Sequence, residues 1–125
     1  MITEGVVAFS NLSETERYNG QDTGKYSIVI TMEQEEADKL TAEGVNVKEY
    51  KNHPQRKFVT KFPQFSVLDA DGNPVPKEIP YGSKVKILWH GGKPHPTYGV
   101  APYFKKIKVL EYADNMELGE EDEEF

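Results

Sequence analysis

Four stretches of the chain alternate as half-buried strands do. In KYSIVIT (25–31), Tyr26, Ile28 and Ile30 share one face, and Ser27, Val29 and Thr31 share the other. RKFVTKF (56–62) sets Arg56, Phe58, Thr60 and Phe62 opposite Lys57, Val59 and Lys61. KVKILWH (84–90) sets Val85, Ile87 and Trp89 against Lys84, Lys86, Leu88 and His90. YFKKIKVLEY (103–112) alternates Tyr103, Lys105, Ile107 and Val109 with Phe104, Lys106, Lys108 and Leu110. The shorter runs GVVAF (5–9) and FSVLD (65–69) add two more strands. A helix is expected over residues 33–43. Thr31 serves as N-cap with Gln34 three residues on, acids crowd the first turn, and Gly44 stands at the stop. Its apolar stripe, Ala37 and Leu40, is thin, which places the helix over a sheet or barrel end. DADGNPVP (69–76) is a dense turn signal, and GGKPHPTYG (91–99) is too rich in Gly and Pro for regular structure.

Five or six short strands with one inserted helix, in about 110 residues, fit a mainly β, OB-fold-like Greek-key barrel better than a sandwich, which stays open as the alternative. The expected division is an OB-fold-like domain over residues 1–111 and an acidic tail over 112–125. The tail ends in ELGEEDEEF (117–125), six acids, no base and a terminal Phe. Clustered carboxylates repel and resist joint desolvation, so this segment is expected to be disordered.

The tail changes the meaning of the net charge of −6. Residues 111–125 hold eight of the 21 acids and none of the 15 bases, leaving residues 1–110 at a formal +2. Residues 50–68 carry four bases and residues 79–110 carry six, with no acid in either stretch. Nine of the 14 aromatic residues fall in the same two stretches. Cations attract a phosphate backbone, and ring faces accept unpaired bases by stacking, so the combination points to single-stranded nucleic acid. The competing reading makes the rings core and the lysines ordinary solvated strand faces. The candidates for phosphate contact are Arg56, Lys57, Lys61, Lys84, Lys86, Lys106 and Lys108, and those for stacking are Trp89, Tyr98, Tyr103 and Phe104. Together they are expected to line one shared trough. The anionic tail imitates a polyphosphate and is expected to compete for that trough, while Glu120, Glu121, Asp122, Glu123, Glu124 and Phe125 form a partner-docking element whose lone ring anchors in a pocket.

The runs GKYSIVITMEQEEADKLTAEGVNVKEY and RKFVTKFPQFSVLDADGNPVPKEIPYGSKVKI, with the tail, resemble the single-stranded DNA-binding proteins of T7-type bacteriophages. The resemblance covers about Gly24 to Leu110 plus the tail. It implies an OB-fold with an inserted helix and a replication and recombination protein that coats exposed strands. It also implies a tail that contacts the replisome (DNA polymerase and helicase–primase) and competes with DNA, and a possible homodimer formed partly through the tail. The chain departs from that pattern in being compact, with a short tail.

Other chemistry finds little support. DADGN begins like a calcium loop, but Pro74 stands at the sixth position and Pro80 at the twelfth, where Gly and Glu are required. His53, His90 and His95 lack metal-ligand spacing, GGKPHPTYG lacks the spacing of a nucleotide-phosphate loop, and no Ser-His-Asp arrangement is visible. The chain has no Cys, so disulfides, thiolate catalysis and Cys-ligated zinc are excluded. The expectation is a protein that is not an enzyme, needs no cofactor or metal, does not enter a membrane, and works in the cytoplasm of a host cell. The alternative is a protein–protein adaptor, or a DNA-mimicking inhibitor of a host protein, on the same barrel.

Overall fold

The computed structural model describes residues 1–113. In chain order its elements are β1 (Ile2–Asn11), β2 (Arg17–Tyr18), β3 (Gln21–Asp22), β4 (Tyr26–Thr31), α1 (Gln34–Ala42), β5 (Lys48–Tyr50), β6 (His53–Thr60), β7 (Ser66–Leu68), β8 (Lys84–Gly91) and β9 (Pro102–Glu111). Strands β1, β4, β6, β9 and β8 follow one another around a closed five-stranded barrel. Every pairing in it is antiparallel except β6 with β9, which meet in parallel at Val59 and Tyr103. This is the OB architecture expected from the alternation. β5 extends the sheet beyond β6, and β7 lies parallel to β9. The expected tail residues Glu120–Phe125 lie outside the described residues.

Helix α1 packs against β1 and β6 and buries Ala37 and Leu40, the thin stripe the sequence showed. It stops as expected at Gly44, at φ 89°, where the Val45 amide reaches back to the Leu40 carbonyl. The start differs from expectation. Glu33 is the N-cap and its side chain makes no capping bond, because Thr31 remains in β4, paired with Gln55. Gln34 does not cap either; its amide donates to Asp38 one turn on.

Two β-bulges decide which rings are inside. Along β1 the pairing steps from Val7–Ile30 to Phe9–Val29, which leaves Ala8 as an extra residue. Phe9 therefore turns outward and is 57% exposed, while Val7 is buried. Along β9 the partners step from Leu88–Lys106 to Trp89–Phe104, with Lys105 as the extra residue. Phe104 and Ile107, three residues apart, both point inward as a result. Strict alternation had set them on opposite faces.

The core they enter contains Ile28, Ile30, Phe58, Val85, Ile87 and Val109. Its rings meet edge-on or tilted: Phe58 with Trp89 at 6.0 Å and Phe65 with Phe104 at 5.0 Å. The Trp89 indole N–H is satisfied internally, donating to the Thr3 hydroxyl at 2.8 Å. Trp89 and Phe104 are thus core residues and not stacking groups, which corrects both expectations. DADGN is a turn, as read from sequence: Asp69 Oδ1 accepts from the Asp71 and Asn73 amides, and these bonds hold its carboxyl below the usual range.

Truncating the inward ring in Phe104→Ala should lower unfolding free energy by about 3–5 kcal/mol, whereas Phe9→Ala should cost less than about 1 kcal/mol. Urea titration of the two variants checks this; equal losses would contradict the bulge at Lys105. Acrylamide should quench Trp89 fluorescence weakly in the native protein and strongly in urea, and strong native quenching would contradict its burial.

Candidate nucleic-acid interface

The core fills the barrel, so a ligand of any size must use its outside. The outer faces of β1, β4 and β6 form one continuous floor, because Phe9 stands beside Val29 and Val29 beside Lys57. β5 rises at its edge and carries Tyr50, 57% exposed, with the Lys51 ammonium 5.4 Å from the ring centre. Phe9, Val29 and Tyr50 border two adjoining hollows of about 720 and 430 Å³, which together make an open trough. Tyr81, 69% exposed, lies at the end nearer β8.

Two connections flank this floor. The first, between β1 and β4, carries the small β2–β3 hairpin, which turns through Asn19 and Gly20 at positive φ. Its Glu16 accepts a hydrogen bond from Lys57, so this cation is already paired with an acid. The second, residues 92–101 between β8 and β9, is pinned to the segment after α1. The Val100 amide donates to the Gly44 carbonyl and the Asn46 amide group to the Tyr98 carbonyl. The His95 Nδ1 accepts from the Thr97 and Tyr98 amides, and the His95 ring lies 4.8 Å from that of Tyr98. Tyr98 itself projects, 72% exposed. Gly99, at φ 74°, has no room for a side chain, since a Cβ would lie 2.7 Å from the Gly44 carbonyl.

The predicted cations do not form one group. Lys84, Lys86, Lys106 and Lys108 project from the outer face of β8 and β9. There Lys86 faces Lys108, Leu88 faces Lys106, and Lys84 faces Glu111 at 3.8 Å. Lys57 belongs to the trough, and Lys61 lies exposed just beyond β6 beside Phe62, itself 72% exposed. Arg56 shares the inward side of its strand with Phe58, and its guanidinium donates to the carbonyls of Asn46 and Lys57. Burial pushes its pKa down from the ordinary value. Of the ring candidates, Tyr98 and Tyr103 reach the surface. Tyr103 is half-buried, over Gly92 and 5.8 Å from the His90 ring, at the one rung joining β6 to β9. The single shared trough expected from sequence is thus two surfaces: the trough over β1, β4 and β6, where rings stand with Lys48, Lys51 and Lys57, and the outer face of β8 and β9, which carries Lys84, Lys86, Lys106 and Lys108.

Sequence reasoning did not select Phe9, Tyr50 or Tyr81. The two tyrosines lie in the acid-free stretches and carried that signal. Phe9 carried none, because only the bulge at Ala8 exposes it.

No family model matches the chain, and no curated protein does. Solved structures do. One is a single-stranded DNA binding protein encoded by bacteriophage T7, at 14% identity and a TM-score of 0.62, covering 90% of this chain and 92% of that one. Another is the single-stranded DNA-binding protein of bacteriophage Enc34 in complex with single-stranded DNA, at 12% identity and a TM-score of 0.65, covering 89% of this chain and 85% of that one. A C-terminal truncation of the Enc34 protein aligns with a TM-score of 0.61 at 12% identity, over 89% of this chain and 84% of that one. The chain has the fold of the T7-type phage single-stranded DNA-binding proteins.

Proposed function

We propose that this protein binds single-stranded DNA on the outer surface of its barrel and takes part in phage replication and recombination without catalysing a reaction. The observation that carries the reading is the set of exposed rings, Phe9, Tyr50 and Tyr81, around an open trough over β1, β4 and β6. Phe9 and Tyr50 present large ring faces to solvent, and a stacked base covers such a face and exchanges water for contact. Duplex bases are already stacked on each other, so rings select unpaired strands. The strands 2–3 face is also where OB-folds take oligonucleotides, and β4 and β6 hold those positions here. The Enc34 relative, solved with single-stranded DNA, supports the same reading.

In this proposal Lys57, Lys61, Lys84, Lys86, Lys106 and Lys108 supply charge to the phosphates, Arg56 mainly fixes the Asn46 backbone, and Tyr98 and Tyr103 extend the stacking surface. The acidic tail competes with DNA and, through Glu120–Phe125, docks replisome proteins such as DNA polymerase and helicase–primase; the protein acts in the host cytoplasm, with a homodimer as a further possibility of its assembly. Among the described residues no helix is long and apolar enough to cross a membrane.

If four to six phosphates are neutralised, log affinity for oligothymidylate should fall against log salt with a slope of about −3 to −4. A slope near zero would contradict the electrostatic half of the proposal. Phe9→Ala and Tyr50→Ala should each weaken binding about tenfold with the slope unchanged. Wild-type affinity in both variants would move the bases elsewhere. Deleting residues 114–125 should tighten binding, most clearly at low salt, in a fluorescence-anisotropy titration.

A further inference from the structure

The β5–β6 hairpin turns on two residues, Lys51 and Asn52, both at positive φ (52° and 68°). Such a turn matches the twist of its strands but demands left-handed backbone at both positions, which Gly, Asn or Asp supplies at little cost. Asn52 obeys this preference. Lys51 does not. Among the described residues every other positive-φ position is a glycine or an asparagine. A lysine there is strained, because its Cβ crowds the backbone carbonyl. The Lys51 side chain is exposed and, among the described residues, lies in no ion pair; its ammonium meets the exposed ring of Tyr50 at 5.4 Å. An ammonium over an exposed ring is worth no more than the left-handed backbone costs, so this contact does not offset the strain.

The turn belongs to the ring-lined trough. Lys48 and Tyr50 share one face of β5, opposite Gln55 and His53 of β6. Lys51 follows them and, with Tyr50 and Phe9, lines the hollow of about 720 Å³, which has no acid in its lining. Acids do line the adjoining hollows. Glu16 and Glu49 stand in one with Lys48, Arg56 and Lys57, and Glu16 is held by Lys57. Glu33, Glu35 and Glu36 line another, together with His53 and Lys84. Lys51 is thus a cation without a partner acid, set next to a ring proposed to receive a base. A base and its phosphate belong to one nucleotide, so a ring and a cation on neighbouring residues can take both.

We infer that Lys51 is a phosphate-binding residue: it holds the phosphodiester of the nucleotide whose base stacks on Tyr50, and its strained backbone serves that contact and not the fold. The inference rests on the proposed binding of single-stranded DNA and adds a residue to it, with a consequence of opposite sign in two measurements. Relieving the strain at this turn stabilises the free protein and weakens its complex.

Lys51→Gly in the full chain separates the two effects, since it relaxes the turn and removes the charge. Its urea midpoint should equal or exceed that of the wild type. Its affinity for oligothymidylate at low salt should fall about fivefold. The slope of log affinity against log salt should flatten by about 0.7, the share of one phosphate on a single strand. Lys51→Arg keeps the charge on the same backbone and should restore both affinity and slope. A lower urea midpoint for Lys51→Gly, or an unchanged slope, would overturn the inference while the functional reading stands. Absence of binding by the wild-type chain would overturn the functional reading, and the inference with it.

Discussion

A strand shows its side chains to alternate faces, so one extra residue exchanges inside for outside along everything that follows. Two such residues, Ala8 in β1 and Lys105 in β9, set the character of this barrel. The offset at Lys105 lets Phe104 and Ile107 enter the core together, where Phe104 meets Phe65. The offset at Ala8 ejects Phe9 while Val7 stays inside. The same device thus completes a hydrophobic interior at one place and supplies an exposed ring at another. Closure of the barrel at Val59 and Tyr103 then leaves the outer surface as the place for a ligand.

That surface is divided by chemistry. Over β1, β4 and β6 it is a trough with Phe9 and Tyr50 at its borders and its central lysine held by Glu16. Over β8 and β9 it carries Lys86, Lys106 and Lys108, with Lys84 at one end beside Glu111 and a hollow lined by Glu4, Glu33, Glu35 and Glu36. Rings act at contact distance and discriminate between stacked and unstacked bases. Unpaired ammonium groups act over a Debye length and attract any polyanion.

Much of this was legible in the sequence. The alternations in 25–31 and 84–90 gave the correct inward faces, with Ile28 and Ile30, and Val85, Ile87 and Trp89, all buried. The helix was found within a residue of each end, and Gly44 marked its stop because a left-handed residue there carries a recognisable signal. The bulges were not legible, since Ala8 and Lys105 are ordinary strand residues and the offset is set by partners far away in sequence. Phe104 and Phe9 were misplaced for that reason. Trp89 was a different error: its inward face was read correctly, but its neighbours in the basic stretch lent it a surface role that a face shared with Val85 and Ile87 excludes. Clustering along the chain likewise suggested one trough, whereas barrel curvature carries Lys57 and Lys86 to different outer faces.

The central claim, that unpaired bases stack on the rings of the β1–β4–β6 trough, is tested most directly by photo-crosslinking. An oligothymidylate carrying 5-iododeoxyuridine, irradiated with the full chain and mapped by mass spectrometry, should attach to Phe9 and Tyr50. Attachment confined to rings remote from the trough, such as Phe62 or Tyr112, would contradict it.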